Sequence, residues 1–394
     1  MLFNIPKCFL GLKAHHKMKK PKILHIGGSH SVHVTDWIQL LHKEGYEQCV
    51  LSYKQDRRRV NRSIPVYFHP YDCFFPIRTG HLRSSLDPKA QELLLYSLID
   101  DIIKKEKPDI IHAHFLMVAC VPAFYAADRY NLPLFSSIWS RRVLASDPTL
   151  RRNIGNALKK THNVIVNCPH LCDDLSKFYS YDRNKCLEIN PPLNLSLFHP
   201  EQVKDLSRPR ILSARTMRAQ YHQDLLLYAL PKLVQKFSNL RATLIIGQSA
   251  EHGKKYFNKM ISLAKALNVS RYCTFIGRSL SQVEFSNLIK RHNIVYSVAE
   301  DPGCSQTTVQ AAYSGAITIV QEYPAEPELL VPNENILYTK LTRRSVLRTL
   351  YCAIRDMRTL QPKFYKNNRK FFCRSEEYVL PILISAYNSA VDLE

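Results

Sequence analysis

The sequence predicts an α/β chain of two successive halves, each a parallel sheet flanked by helices. Three observations carry that prediction. Short apolar runs rich in β-branched residues alternate with segments of helical periodicity along most of the 394 residues. Apolar runs end on glycine and open into a helix, as at Ile26-Gly27-Gly28, Ile246-Gly247 and Ile276-Gly277. A polar, Pro-containing segment from Asn190 to Pro209 separates two series of the same grammar.

In the first half, Lys22 to Ile26 reads as a strand, and Gly27-Gly28-Ser29-His30-Ser31-Val32-His33 as the loop that opens a helix. That helix carries Trp37, Ile38, Leu40 and Leu41 on its apolar side, and Gly45 closes it near C′. Leu93 to Ile103 is helical, and Pro108 to Phe115, reading PDIIHAHF, is a strand. Alternation points His112 and His114 to one face. His114, nearer the carboxyl end, is the site candidate. A helix from Val121 to Tyr130 and a strand from Leu132 to Ile138 follow, then the loop Trp139-Ser140-Arg141-Arg142. The half ends with a helix Arg152–Lys160, a strand Asn163–Asn167, a helix Asp173–Phe178 and a strand Cys186–Ile189.

The second half restarts with a strand, Ile211 to Ala214, and Arg215 directly after it. Ala242 to Ile246 is the next strand, and the helix Lys254–Leu267 leads to Phe275-Ile276-Gly277. Val283, Phe285, Leu288 and Ile289 recur at helical spacing, and Ile294 to Val298 is another strand. An acidic loop, Glu300-Asp301-Pro302-Gly303-Cys304, then runs into a helix starting near Ser305. Free N–H groups and the helix dipole favour an anion at such a place. Ala316 to Val320 is a buried strand, and helices are expected at 342–357 and 375–390.

Composition narrows the function classes. Hydrophobic residues make up 45% of the chain, enough for the cores of two or three domains. Eleven cysteines stand without a paired pattern, which reads as free thiols in a reducing compartment. Cys168-Pro-His170-Leu-Cys172 lacks a second ligand pair at finger spacing, so no metal is expected. The net charge of +22 is spread over the whole chain, with no RNA-binding aromatic signature, so nucleic acid is not an expected partner. An anionic membrane surface or a pyrophosphate-bearing substrate would still suit it. Residues 1–20 place Leu2, Phe3, Phe9 and Leu10 ahead of Lys13, Lys17, Lys19 and Lys20. No run reaches the ~20 apolar residues of a membrane span. The tail is either frayed or a surface anchor in lipid headgroups. The expected location is the cytoplasm, with a peripheral membrane contact.

The stretch Phe275 to Gly315 resembles the donor-site segment of the GT-B retaining glycosyltransferases of family 4, the glycosyl transferases group 1. Those chains carry a Glu, seven residues, a second Glu and an Ala-Met-Ala-Cys-Gly-like segment. Ala311, Ala312, Tyr313, Ser314 and Gly315 match the last segment, and Gly303 suits the loop glycine. Gln310 takes the second Glu position, and Pro302 falls where the first acid belongs, with Glu300 and Asp301 just before it. PDIIHAHF and the segment Asn190–Pro200 are also similar to family segments, whereas Arg141-Arg142 replaces an acid. Arg215 stands where the family places a diphosphate-binding Arg. Gln220 replaces a common Lys, Arg218 is the substitute cation, and Tyr221 and Asp224 match a subset. The resemblance covers about residues 21 to 360.

The resemblance implies the GT-B fold: two Rossmann-like domains facing each other across a cleft. A tail, 1–20, precedes an acceptor domain, 21–204, and a donor domain, 205–372; a helix within 373–394 crosses back to the first domain. It implies transfer of a sugar from a UDP- or GDP-sugar to a glycan, lipid-linked or other acceptor, with retention and with neither cofactor nor metal. Glu300 or Asp301, with His114, are the implied catalytic residues. Gly28, Arg215, Arg218, Gly247, Gly303, Cys304, Ser305, Gln306 and Gln310 are the implied donor contacts. His33, Arg141 and Arg142 lie on the acceptor side. Two other readings stand beside it. One is a catalytically silent scaffold in polysaccharide assembly, which Gln310, Pro302 and Arg141-Arg142 favour. The other is a nucleotide-sugar epimerase, which would need a cluster of acids and His for proton transfer.

Overall fold

A computed structural model describes residues 20–55, 60–69, 87–144, 147–200, 204–247, 250–300, 305–322, 329–366, 371 and 373–391. The tail anchors ahead of Lys20, and Asp301, Pro302, Gly303 and Cys304, lie outside the described residues.

The first sheet is built by β1 (Ile23–Gly27), β2 (Gln48–Ser52), β3 (Val66–Phe68), β4 (Ile110–His114), β5 (Leu134–Ile138), β6 (Thr161–Val166) and β7 (Cys186–Glu188). The helices between them are α1 (Val32–Lys43), α2 (Pro88–Glu106), α3 (Leu116–Tyr130), α4 (Pro148–Lys160) and α5 (Pro169–Tyr179). The strand order is β3-β2-β1-β4-β5-β6-β7. β1 pairs in parallel with β2 and with β4, placing His25 opposite His112. Every residue of β1, β4 and β5 is buried. That explains their nearly continuous apolar runs, since a parallel sheet covered on both faces has no solvent side. Gly45, at φ +75, ends α1 as its position implied.

After the short α6 (Leu195–Phe198) the second sheet follows: β8 (Arg210–Ser213), β9 (Arg241–Ile245), β10 (Cys273–Ile276), β11 (Ile294–Tyr296), β12 (Ile317–Gln321) and β13 (Ile336–Thr339). Its helices are α7 (Gln223–Lys236), α8 (Ala250–Ala266), α9 (Gln282–Lys290), α10 (Gln306–Tyr313), α11 (Arg343–Arg355) and α12 (Met357–Lys366). The order is β10-β9-β8-β11-β12-β13, and β8 pairs in parallel with both β9 and β11. One core packs Leu226, Leu230, Met260 and Leu350 against Ile211, Leu244, Tyr296 and Ile319. A second core packs Ile289, Val309, Ala312 and Phe371 against Leu212, Val295 and Val320. Alternate residues of the same strands thus serve helices on the two faces.

By contacts the chain forms two compact units. The first holds the described residues up to Ser137, with Arg152–Asn163 and those from Leu383 onward; the second holds Ile138–Arg151 and Val164–Ile382. The last helix, α13 (Glu376–Val391), is therefore divided, and its Tyr387 belongs with β4 and β5. Both sheets have Rossmann-like topology. No helix among the described residues is long and apolar enough to cross a membrane.

Two expectations need correction. Val283 is 57% exposed, although its spacing placed it on the apolar side of α9. It follows the Ser281 cap by two residues, in a first turn that the core does not cover, and the capping box of Ser281 and Glu284 holds that turn instead. Strands β2, β3 and β13 were not anticipated; each is short, and the first two are interrupted by polar or aromatic residues.

Candidate active site

Each sheet has one place where strand order reverses. In the first sheet it lies between β1 and β4, and in the second between β8 and β11. Loops leaving the carboxyl ends of such strands diverge to opposite faces and leave a crevice there, where open α/β sheets bind ligands. Gly27 ends β1 with Gly28 directly after it, and His114 ends β4. Arg215 follows β8, and Glu300 follows β11. Gly28, His114, Arg215 and Glu300 therefore lie beside the two reversals.

In the second unit the loop after β8 is held by its neighbours. Met217 N–H donates to the Ile246 carbonyl at 3.0 Å, joining it to the loop after β9. Gly247 has φ +82, and a Cβ there would lie 2.8 Å from Thr216 Cα, so both conformation and close approach require glycine. The Arg215 guanidinium stacks over Tyr221, 4.4 Å from the ring centroid. That cation–π contact limits its swing. Arg218, half-buried, precedes the same turn. Glu300 N–H donates to the Gln220 carbonyl at 2.9 Å, and its Oε1 lies 3.3 Å from His222 Nε2. Glu300 is otherwise open, with 62% of its side chain exposed. Gln220 thus holds the loop together through its backbone, at a position where a Lys was missing.

Helix α10 begins at the same edge. Ser305 caps it by accepting from Thr308 N–H at 3.3 Å, leaving other first-turn N–H groups unbonded within the helix. Ser297 Oγ meets Thr308 Oγ1 at 2.7 Å and fixes the helix start to the end of β11. Gln310 is half-buried, and its side chain makes no hydrogen bond among the described residues. The Gln306 side chain is held within the unit. Its Nε2 donates to the Pro191 carbonyl at 3.2 Å, and its Oε1 accepts from Arg374 Nη2 at 2.6 Å. The side chain serves a strut, and only the backbone N–H remains for a ligand. Arg374, 2% exposed, was missed from sequence because its partners lie 68 and 183 residues away.

In the first unit three histidines stack beneath the reversal. His112 and His114 rings are 4.0 Å apart by centroid, on one face as alternation required. His25, from β1, meets His114 Nε2 through Nδ1 at 2.9 Å. His112 is held by Tyr387 Oη at 2.6 Å and Ser137 Oγ at 2.7 Å. Burial pushes His25 down to about 4; burial, and the neighbouring histidines, push His112 and His114 well below the usual imidazole range. All three are neutral at pH 7. His25 and Tyr387 were not singled out from sequence, although a His inside an apolar strand was the available signal. Phe115, next to His114, has φ +54, an unfavourable region for a bulky residue, and turns the chain directly into α3.

The remaining candidates are bound up locally. The space beside Gly28 is filled by the His30 ring, 2.5 Å from where a Cβ would sit, and by Tyr53 Oη at 2.8 Å. His33 stands on α1 with its ring edge-on to Phe115, centroids 5.9 Å apart. Arg141 grips Asp174 of α5 through Nε at 2.7 Å and Nη2 at 3.1 Å. Its fork is thus engaged by an acid of the same unit, while 63% of the side chain stays exposed. Arg142 is described only in its backbone. Cys172 is buried while His170 is exposed, so Cys168-Pro-His170-Leu-Cys172 does not converge on one point. The cysteines among the described residues are free thiols.

Comparisons with known proteins agree with this layout. Residues 26–197 match the model of Glycosyltransferase Family 4, and residues 197–370 match that of Glycosyl transferases group 1. A D-inositol 3-phosphate glycosyltransferase of Streptomyces scabiei is 24% identical over 157 residues, which span 35% of this chain and 35% of that relative. A glycosyltransferase of Rickettsia africae superposes with a TM-score of 0.72 at 15% identity, covering 96% of this chain and 100% of its own. A sucrose-phosphate synthase of Thermosynechococcus elongatus gives 0.75 at 13% identity, covering 95% and 100%. HepE of Anabaena, solved in complex with UDP, gives 0.72 at 15% identity, covering 93% and 100%. At these identities the solved structures establish the GT-B fold, and the two family models, which between them run from residue 26 to residue 370, place the chain among the family 4-type group 1 glycosyltransferases.

Proposed function

We propose that this protein transfers a sugar from a nucleotide-sugar donor to the hydroxyl of a glycan or lipid-linked acceptor, with retention of configuration and without a metal. The observation that carries the reading is the gathering of Arg215, Glu300 and the start of α10 at the reversal between β8 and β11. Departure of a nucleoside diphosphate builds negative charge, and transfer speeds up where cations and N–H donors already face it. Arg215, Arg218, the loop at Gly247 and the first turn of α10 from Ser305 supply those donors. Glu300 and Asp301 suit the hydroxyls of the transferred sugar, and Gln310 suits a ribose. Gly303 and Cys304 complete the loop in this reading, and HepE, solved with UDP and with UDP-glucose, supports a UDP-sugar as donor. The donor then belongs to residues 205–372 and the acceptor to 21–204, with His33 and Arg142 on the acceptor side and His114 among the catalytic residues. The protein works in the cytoplasm, and its basic surface suits an acceptor carried at an anionic membrane.

A thermal-shift screen over nucleoside diphosphates and nucleotide sugars tests the reading, since a ligand that binds only the folded state raises its stability. Donors that shift the melting temperature are then assayed for slow hydrolysis without acceptor. Binding with no hydrolysis or transfer would favour the scaffold reading, and epimer formation the isomerase.

A further inference from the structure

The protons of the buried histidine cluster can be assigned from their partners. Gln48 opens β2 and is buried. Its Nε2 donates to the carbonyls of Ile38 at 3.2 Å and Tyr46 at 3.5 Å. Turned the other way, the amide would set its oxygen against two carbonyl oxygens. Oε1 is therefore the atom 2.8 Å from His25 Nε2. A carbonyl oxygen only accepts, so His25 carries its proton on Nε2. His25 is neutral, which leaves its Nδ1 bare. That atom faces His114 Nε2 at 2.9 Å, so His114 must be the donor there. His114 is neutral as well, and its Nδ1 holds a lone pair. This nitrogen is fully buried in a side chain 1% exposed, and it has no hydrogen-bond partner among the described residues.

We infer that Gln48 and His25 are positioning residues that hold His114 as its Nε2–H tautomer, so that a bare Nδ1 accepts from a substrate hydroxyl at the end of β4. A buried acceptor left unpaired is destabilising, and such groups in native proteins call for a partner. Its place at the sheet reversal is where ligands arrive. An incoming O–H is the partner an uncharged acceptor selects, and sugars present that group. A metal ion is the rival explanation, because the ligand atoms of His25, His112 and His114 lie within 4.8 Å of one another. Five of the six ring nitrogens already have partners, however: Gln48, Tyr387 and Ser137 take three, and the His25–His114 bond takes two. A metal needs a lone pair from each ring and would break that chain.

The hydroxyl partner rests on the transferase reading; the proton placement does not. The test is long-range 1H–15N correlation on protein labelled with 15N-histidine, recorded without substrate. Wild-type His25 and His114 should both show the Nε2–H pattern. In Gln48→Leu the acceptor that fixes the chain is gone. His25 is then free to protonate Nδ1, and His114 should become a mixture or invert to Nδ1–H. A packing role alone would leave the tautomer unmoved. Should Gln48→Leu fail to fold, the wild-type spectrum decides. A wild-type His114 carrying its proton on Nδ1 overturns the inference even if the protein is an active transferase. A folded Gln48→Leu with His114 still wholly Nε2–H overturns the role of Gln48. The expected tautomers in a protein that transfers no sugar would sink the transferase reading and leave the proton placement standing.

Discussion

Glu300 Oε1 lies 3.3 Å from His222 Nε2, an ion-pair distance that joins the loop after β11 to the loop after β8. The pair is not aligned as a hydrogen bond, because His222 Nε2 has no such partner. The backbone reinforces the link. Glu300 N–H donates to Gln220, and the Tyr296 hydroxyl donates to the carbonyl of His222, whose φ is +45. Glu300 is thus held at its base while 62% of its side chain remains exposed.

The first prediction follows from that arrangement. Glu300→Ala should lower transfer by ~10²-fold or more if the carboxylate holds the donor sugar in a reactive pose. His222→Ala should lower it less, because backbone contacts still place the loop. Neither change should move the melting temperature appreciably, since an exposed pair contributes little stability. Initial rates and thermal unfolding on both variants check this. If Glu300→Ala and Asp301→Ala both keep full activity, neither acid belongs to the site.

Arg215 gives the second. Its guanidinium rests on Tyr221 directly after β8, and the proposed function sets it against the donor diphosphate. Arg215→Ala should weaken nucleoside diphosphate binding by ~1.5–3 kcal/mol, the range for a hydrogen bond to a charged group. Titration calorimetry with the free diphosphates measures it. Unchanged affinity for every diphosphate that binds the wild type would remove Arg215 from the site.

Much of the scaffold was legible because its signals are local. Gly45 and Ser305 mark helix ends through the backbone geometry of a few residues, and the runs of β1, β4 and β12 report burial on both faces. Alternation also put His112 and His114 together. What stayed hidden depends on contacts distant in sequence. His25 bonds a residue 89 positions away, and His112 bonds Tyr387 across 275. The same holds for Arg374 with Gln306, and for Asp174, which takes up the charge of Arg141. A motif gives the residue at a position, but not which partner already holds its side chain.

Buried histidines make stability depend on pH. Burial lowers His25 and His292 to about 4 in the folded protein; nearby cations add to the effect on His292, and the bond its Nδ1–H donates to the Leu288 carbonyl partly opposes it. In the unfolded chain the same groups take up protons near pH 6.5. Between those values the unfolded state binds more protons, so stability rises with pH across the window and falls as pH drops from 6.5 toward 4. The contribution from each is on the order of 3 kcal/mol across the full window. Urea unfolding from pH 7 to pH 4 should show this loss, and His292→Asn should reduce its slope. A flat profile over that range would contradict the neutral, buried assignment.

Gln310 carries the last prediction. It sits on α10 where the family has a carboxylate, and its amide makes no hydrogen bond among the described residues. An amide oxygen can accept from ribose hydroxyls, but without charge assistance. Gln310→Glu should therefore tighten donor binding by up to ~1 kcal/mol if the ribose lies against this side chain. An opposing effect exists, because a new carboxylate repels the diphosphate. In the proposed arrangement the first-turn N–H groups of α10 and Arg215 face the diphosphate and offset that repulsion. The gain should then prevail, and it should be larger for a nucleoside diphosphate than for inorganic pyrophosphate, which has no ribose. Calorimetry with both ligands separates the cases. Equal changes for the two would mean that Gln310 senses only charge, and the ribose would have to be placed elsewhere.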